Sequence, residues 1–238
     1  MGIKYEVNSQ FFSEWSRDMA YVLGFFYADG GMERSVVNRG WYIRFSSTDK
    51  ALLAAIAGSL NSKHPLIVRN LPLPNKIGYI LRVGDKVLYS ALEEMGLHPN
   101  KSLSITMPSV PIEYRADFIR GYFDGDGCVF LERFIRKADG KKAIKRLHTS
   151  FTSGSRLFLE QLSAMIRQEI GVDSKIYQSD RSYQIRYSTM NSVRLFTYIY
   201  RDTPAIFLDR KYRKFATFFS ERPDWIDFKI QTILDCCP

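Results

Sequence analysis

The chain contains the same short motif twice. Residues 20–31 have the sequence AYVLGFFYADGG, and residues 117–128 have the sequence DFIRGYFDGDGC. Each copy is an apolar run that ends in a small residue, an aspartate and a glycine, so Asp29 corresponds to Asp126. One repetition across 238 residues indicates two fused half-domains, because solenoid repeats are much shorter. We expect the halves to share one composite acidic site, which would suit a twofold-related substrate such as duplex DNA.

The segments after the two motifs have the same predicted order of secondary structure. Aromatic and β-branched runs predict strands, and Ser, Thr or Asp before an apolar run predicts a helix start. These signals give strands at 41–45, 66–69, 77–83, 147–152, 174–178 and 182–188, and helices at 50–60, 86–95, 156–169, from 191 or 192 to 200, and after Trp225. We therefore predict an α+β fold of two pseudo-symmetric αββαββα halves, each with an antiparallel sheet. The halves span 1–106 and 116–238, with a linker at 107–115.

Composition favours a folded protein that binds a polyanion. The chain is 45% hydrophobic and 14% aromatic, and it carries a net charge of +9 with a pI near 9.4. This positive charge favours a nucleic-acid partner. Apolar stretches are too short to cross a membrane and the N-terminus lacks a signal segment, so we expect an intracellular protein, in cytoplasm or organelle matrix, that is not secreted. The three cysteines have no zinc-site spacing.

Basic side chains in the predicted strands indicate a sheet face that binds nucleic acid. Alternate strand residues point to opposite faces, so one face can pack on helices while the other presents arginines. A two-stranded ribbon fits the DNA major groove, where arginine binds guanine. The segment 133–146 is predicted to be a basic hairpin loop that extends this face along the phosphates. The predicted DNA contacts are Arg34, Arg39, Arg44, Arg69, Lys76, Arg82, Arg133, Arg136, Lys141, Lys142, Lys145, Arg146, Lys175, Arg181, Gln184 and Arg186.

Small residues lie four positions apart in each motif, a spacing that lets two helices approach closely. They are Gly24 and Ala28 in the first motif, and Gly121 and Gly125 in the second. If the two helices pair, Asp29 and Asp126 lie side by side at their C-terminal ends. Each carboxylate then meets the other's charge and the negative end of the helix dipole, which a cation would neutralise. A site with oxygen ligands and few protein groups suits Mg²⁺.

The two motifs resemble those of the LAGLIDADG, or dodecapeptide, homing endonucleases. Residues 22–30, VLGFFYADG, match that pattern at the glycine, the alanine, the last aspartate and the last glycine. Residues 119–127, IRGYFDGDG, match similarly and also contain the earlier aspartate, Asp124, where the first motif has Tyr27. With parallel element signals over about residues 12–220, the chain is identified as a single-chain, two-motif member.

The resemblance implies a fold, a reaction and a cofactor. Members place the motif helices at the interface of the two halves, and their sheets form a saddle over DNA. They cut both strands across the minor groove of a long asymmetric site. The last acid of each motif binds divalent metal, which makes Asp29 and Asp126 the expected catalytic pair, with backbone oxygens of Ala28 and Gly125 as further ligands. Mg²⁺ is the expected cofactor; Mn²⁺ would substitute, and Ca²⁺ would support binding without cleavage.

The resemblance also implies a basic residue near each metal site. Lys101 and Lys211 occupy the corresponding places, where they would stabilise charge on the reacting phosphate or help activate water. Other members carry a lysine or glutamine at the end of the second strand. This chain has Ser47 and Ser153 there, so that variant is not expected.

Three functions are compatible with these features. The first is a monomeric, site-specific endonuclease of double-stranded DNA, encoded by a mobile intron or a free-standing mobile gene. The second is an RNA maturase that binds intron RNA on the same fold. The third is a DNA-binding regulator without cleavage, which two retained acids argue against. We expect no protein-splicing element, because the sequence begins at Met1 and does not end in His-Asn.

Overall fold

The predicted α+β fold with two antiparallel sheets is confirmed by the computed structural model, which describes residues 5–35, 40–72 and 77–236. The first motif opens the series α1 Arg17–Asp29, β1 Gly30–Ser35, β2 Gly40–Ser47, α2 Lys50–Ser59, β3 Leu66–Asn70, β4 Ile77–Gly84 and α3 Lys86–Glu94. The second opens the series α4 Arg115–Asp126, β5 Gly127–Ile135, β6 Lys142–Ser153, α5 Arg156–Ile170, β7 Ile176–Gln178, β8 Tyr183–Tyr187 and α6 Thr189–Ile199. Two further helices follow, α7 Asp209–Glu221 and α8 Phe228–Cys236.

The two sheets have the same topology, as a repeat requires. Their strand orders are β1-β2-β4-β3 and β5-β6-β8-β7, with every pairing antiparallel. The chain divides into two compact units, residues 1–125 and 126–238. The sequence repeat restarts near residue 116, but α4 belongs almost entirely to the first unit because it packs on α1. The predicted half-domain boundaries at 106 and 116 describe the repeat and stay a prediction.

Each sheet buries one face and exposes the other. In the first sheet, Ile43 and Phe45 on β2 lie beside Val83 and Leu81 on β4, and all four are buried. The second sheet repeats this pattern with Phe151 beside Ile185. Alternation of period two then sends the intervening polar residues to the opposite face. The described residues include no helix long and apolar enough to span a membrane.

Local capping signals in the sequence correspond to observed helix starts. The Asp49 carboxylate accepts a hydrogen bond from the Leu52 amide at 2.9 Å, and the Ser155 hydroxyl accepts one from the Phe158 amide at 3.2 Å. α5 ends at Gly171, whose φ of 66° is left-handed. The prediction that Asn191 or Ser192 caps α6 is wrong, because the helix begins at Thr189 after Ser188.

Two further predictions about elements are corrected, and one helix had not been predicted. Segment 133–146 is not one loop, because β5 extends to Ile135 and β6 begins at Lys142, with a bulge between Glu132 and Arg133. Lys175 precedes β7 and is not a strand residue. Helix α7 was not predicted, although its buried aromatic residues recur at the helical spacing of three and four. These residues are Tyr212, Phe215, Phe218 and Phe219.

Candidate active site and nucleic-acid interface

Two glycines bring the motif helices α1 and α4 into backbone contact within the first unit. A Cβ atom on Gly24 would overlap the carbonyl oxygen of Phe118, and one on Gly121 would overlap the carbonyl oxygen of Tyr21. Neither obstacle is a side chain that could rotate away. The small residues that the sequence analysis placed at a helix contact do lie at one, and only a residue without a side chain fits at Gly24 and Gly121.

The contact continues to the ends of both helices. A Cβ atom on Gly125 would overlap that of Ala28 and would lie 3.4 Å from Oδ2 of Asp29. Asp29 is the last residue of α1 and is exposed, while Asp126 is the last residue of α4 and is partly buried. The predicted catalytic acids therefore follow directly on two residues that touch each other. Each acid lies at the unfavourable end of its helix dipole, where a cation would stabilise it.

Lys101 is buried and bound to the last turn of α1. The residue begins the short helical turn Lys101–Leu103 and is 4% exposed. Its Nζ donates a hydrogen bond to the carbonyl oxygen of Tyr27 at 2.6 Å. A lysine at the surface would be expected to be solvated, because buried lysines are rare unless paired. The carbonyl group that it binds belongs to Tyr27, two residues before Asp29. The ammonium group therefore adds positive charge at the end of α1 where the helix dipole is negative.

Lys211 has the same low exposure in the second unit. It lies in the first turn of α7 and is 4% exposed. Lys214, one turn later, donates from Nζ to the carbonyl oxygen of Val129 at 2.9 Å and so fixes α7 to β5. The two lysines suggested by the resemblance are therefore both buried, although they lie in different elements.

A polar cluster formed by residues of the two motif helices was not predicted from the sequence. Arg120 and Asp117 are 2% and 3% exposed, and Nη2 of Arg120 contacts Oδ1 of Asp117 at 2.6 Å. Nε of Arg17 contacts the other oxygen of Asp117 at 3.3 Å. Asp124 is also buried and accepts a hydrogen bond from the Tyr21 hydroxyl at 2.7 Å. The spacing of Asp117 and Arg120 by three residues is the sequence signal that could have revealed the pair.

The exposed face of the first sheet carries an arginine cluster. Arg44 and Arg82 lie directly opposite each other on β2 and β4. Both contact Glu33 on β1, at 3.1 Å from Nη1 of Arg44 and 3.3 Å from Nε of Arg82. The Arg82 guanidinium also lies 3.6 Å above the ring of Tyr42. Arg69 on β3 is exposed on the same face.

The exposed face of the second sheet has a different polar composition. Arg186 donates from Nε to Oε1 of Gln184 at 2.6 Å, and Gln184 donates to Ser150 and Thr152 on β6 at 3.3 Å each. Glu132 on β5 contacts three basic residues: Lys145 at 3.2 Å, His148 at 3.4 Å and Arg146 at 4.0 Å. The hydrogen bond from Lys145, followed by His148, lowers the pKa of Glu132. Amide and hydroxyl groups therefore replace part of the arginine surface seen in the first sheet.

The other predicted DNA contacts are scattered. Arg34 lies on the helix-covered side of the first sheet, where it pairs with Glu93 at 2.9 Å and stacks on Trp41 at 4.0 Å. Arg133 pairs with Glu221 on α7. Arg136 at the end of the hairpin is exposed and pairs with Asp139. The remaining exposed candidates are Lys141, Lys142, Lys175 and Arg181. Arg39 and Lys76 lie outside the described residues.

The serines at the ends of the second strands have a local role. Ser47 accepts a hydrogen bond from the Asp49 amide at 3.0 Å, and Ser153 accepts one from the Ser155 amide at 3.1 Å. Both serines therefore shape the turn into the following helix. Their equivalent use in both halves is a further trace of the repeat.

The oxygen donors at the helix ends fit a hard divalent cation. In the described part of the chain, no group of three or more His, Cys, Asp or Glu side chains could hold a metal ion. Mg²⁺ needs no such group, because it is commonly held by one or two carboxylates together with water and substrate phosphates. Asp29 and Asp126 each end a motif helix and offer carboxylate oxygens of this kind, whereas zinc prefers sulfur or imidazole ligands.

Comparison with known proteins gives matches over part of the chain. Residues 113–200, from α4 to the end of α6, match the family described as LAGLIDADG-like domain. A probable translation initiation factor IF-2 from Thermococcus kodakarensis is 37% identical over 103 residues, and an elongation factor 2 from Methanopyrus kandleri is 36% identical over 86 residues. These matches cover 41% and 36% of this chain, and they span 8% and 6% of the two factors.

Solved structures of homing endonucleases share the whole fold. I-WcaI bound to its DNA recognition sequence matches with a TM-score of 0.57 and 15% identity, covering 86% of this chain and 90% of its own. I-LtrWI, a LAGLIDADG homing endonuclease bound to target DNA, matches with a TM-score of 0.55 and 13% identity over 97% of each chain. I-DmoI in complex with DNA and Mn matches with a TM-score of 0.50 and 20% identity, covering 81% of this chain and 97% of its own.

The structural similarity establishes a common fold, and at identities this low it establishes nothing about the activity of this chain. The fold spans both halves, and each half supplies one copy of the motif. Residues 113–200 thus match a LAGLIDADG-like domain, and the chain as a whole shares its fold with solved homing endonucleases.

Proposed function

We propose that this protein is a monomeric, site-specific endonuclease that hydrolyses both strands of duplex DNA with a divalent metal ion. The observation that carries the proposal is the contact of α1 and α4 at Gly24 and Gly121, because it joins two helices that each end in an aspartate. A DNA-binding protein without cleavage would gain nothing from two acids next to phosphates. The host DNA would make the site of action intracellular.

The exposed faces of the two sheets would bind the DNA substrate. The arginine cluster on the first sheet and the Gln184–Arg186 pair on the second supply donors that suit base edges in the major groove. Exposed lysines at the β5–β6 hairpin would contact phosphates, which fix position without specifying sequence. The net charge of +9 would assist association with DNA at low salt.

Catalysis would rest on the ends of the motif helices. The carboxylates of Asp29 and Asp126, with backbone oxygens of Ala28 and Gly125, would hold Mg²⁺ or Mn²⁺ against the substrate phosphates. When bound, the metal supplies an activated water nucleophile and positive charge for the leaving oxygen. Lys101 holds the last turn of α1 through the Tyr27 carbonyl and so positions Asp29. Lys211 would have the corresponding role in the second half.

A selection from a randomised duplex library tests this proposal. The protein would be allowed to bind in Ca²⁺, and bound duplexes would then be transferred to Mg²⁺ or Mn²⁺. We expect a defined target and cleavage of both strands. The variants Asp29→Asn and Asp126→Asn should lose cleavage and keep binding, while Asp173→Asn, which changes an exposed acid far along the chain from either motif, should behave as wild type.

Each alternative function predicts a different result. Specific binding without cleavage by the wild-type protein would overturn the endonuclease and favour a regulator. Absence of any duplex preference, together with retention of structured intron RNA, would favour the maturase. Continued cleavage by both aspartate variants would show that the active site is elsewhere.

A further inference from the structure

Glu33 places a carboxylate in the middle of a surface proposed to bind DNA. It lies on the exposed face of β1, and its side chain is 38% exposed. A carboxylate repels phosphate, so a surface built for affinity alone would omit it. Ion pairs this exposed contribute little to stability, so folding does not account for it either.

Ion pairs and a cation–π contact connect Glu33 with the residues around it. The carboxylate binds Arg44 through one oxygen and Arg82 through the other, at 3.1 and 3.3 Å. Arg82 also stacks on Tyr42 at 3.6 Å. Each arginine is thus held at a defined position on the sheet, and Arg82 is held from two sides.

Glycines clear the space that this arrangement needs. Gly31 lies directly opposite Arg44, and a Cβ atom there would come within 2.7 Å of Nε of Arg44. Gly84 lies opposite Tyr42, and its Cβ would come within 3.0 Å of the Tyr42 ring. The glycines therefore allow the arginine and the tyrosine to lie flat along the sheet, where Glu33 reaches both guanidinium groups.

The contacts to Glu33 leave further donors on each guanidinium. Glu33 engages Nε of Arg82, and the two terminal nitrogens of that fork carry the N–H groups that bind a guanine edge in pairs. An arginine fixed in this way loses less conformational entropy when it meets a base, and it is less able to turn toward the nearest phosphate. The carboxylate also repels the phosphates of every duplex. Only a duplex whose base edges bind the two arginines offsets this repulsion, so binding to other sequences is weakened.

We propose that Glu33 is a specificity-determining residue that positions Arg44 and Arg82 for the major-groove edge of guanine and suppresses binding to other sequences. This inference rests on the proposed function, because it assumes that the exposed face of the first sheet binds duplex DNA. It assigns Glu33 a positioning role and no part in cleavage.

The test compares Glu33→Gln with a matched control. Binding to the selected target and to a scrambled duplex is measured in Ca²⁺ at several salt concentrations. Glu33→Gln should lower the ratio of target to scrambled affinity at least about tenfold, mainly through tighter scrambled binding, and should steepen the salt dependence of scrambled binding by about one phosphate contact. Glu93→Gln makes the same charge change on the helix-covered side, at the partner of Arg34, and should leave the ratio unchanged.

A second background separates positioning from charge. In an Arg44→Ala, Arg82→Ala protein, Glu33→Gln should have no further effect on the ratio, because the arginines through which it acts are gone. The inference is overturned if Glu33→Gln keeps the wild-type ratio within about twofold, or if Glu93→Gln lowers it equally. A wild-type protein without any duplex preference would instead overturn the proposed function, and this inference with it.

Discussion

The two motif helices occupy equivalent places in the repeat but bury different chemistry. Every residue of α1 from Met19 to Tyr27 is buried, and none of them is charged. In α4, the buried residues include Asp117, Arg120 and Asp124. The same backbone contact is therefore made by an apolar helix and by a helix with buried charges.

The side-chain contacts between the helices show the same divergence. Tyr21 in the first motif binds Asp124 in the second, with 2.7 Å between the hydroxyl and the carboxyl oxygen. The equivalent contact in the other direction joins Phe118 to Tyr27, as an edge-to-face pair with centroids 5.5 Å apart. The glycines preserve the close approach while the flanking pairs differ, so the helices are no longer interchangeable.

Loss of the glycine contact should have the largest effect. Gly121→Ala should lower the free energy of unfolding by at least about 4 kcal/mol, because the new methyl group overlaps a backbone carbonyl and the helices must separate. Urea denaturation measures this. Gly58→Ala in α2, where nothing lies within 4 Å, should instead stabilise by up to about 1 kcal/mol. A cost below about 1 kcal/mol for Gly121→Ala would disprove the close packing.

Removal of the buried charge in α4 should come second. Asp117→Asn takes away the carboxylate that buried Arg120 contacts, and it should cost about 3 kcal/mol in unfolding free energy. Asp139→Asn is the matched control, since Arg136 and Asp139 form a pair of the same spacing on the surface. That change should cost less than about 1 kcal/mol. Equal losses in the two variants would show that burial of the first pair has no energetic consequence.

Loss of the tyrosine hydroxyl in the first motif should have an intermediate effect. Tyr21→Phe removes the donor to Asp124 and keeps the ring, so about 2 kcal/mol of unfolding free energy should be lost. The substitution changes no side chain that binds metal or DNA in the proposed function. Target affinity in Ca²⁺ should therefore stay at the wild-type value, and a large change in affinity would argue against a purely structural role.

Signals that depend on neighbouring residues were predictable from the sequence. The repeat, the element order, the helix start near Asp49 and the small residues at Gly24 and Gly121 all follow from short spacings. The burial of Lys101 and the contacts of Glu33 with Arg44 and Arg82 were not predictable, because they depend on strand register and on segments distant in the chain. Helix α7 was missed because charged residues fill its first turns.

The smallest expected effect concerns the tyrosine that replaces the earlier motif acid. Tyr27 donates to the carbonyl oxygen of Met95 at 2.7 Å, and burial raises the pKa of its hydroxyl. Tyr27→Phe keeps the ring against Phe118 and loses one neutral hydrogen bond, so about 1 kcal/mol of unfolding free energy should be lost. The pair Tyr21→Phe and Tyr27→Phe thus compares a carboxyl partner with a carbonyl partner by the same atomic change. If Tyr27→Phe lost as much unfolding free energy as Tyr21→Phe, the bond to the Met95 carbonyl would stabilise the protein as strongly as the bond to Asp124.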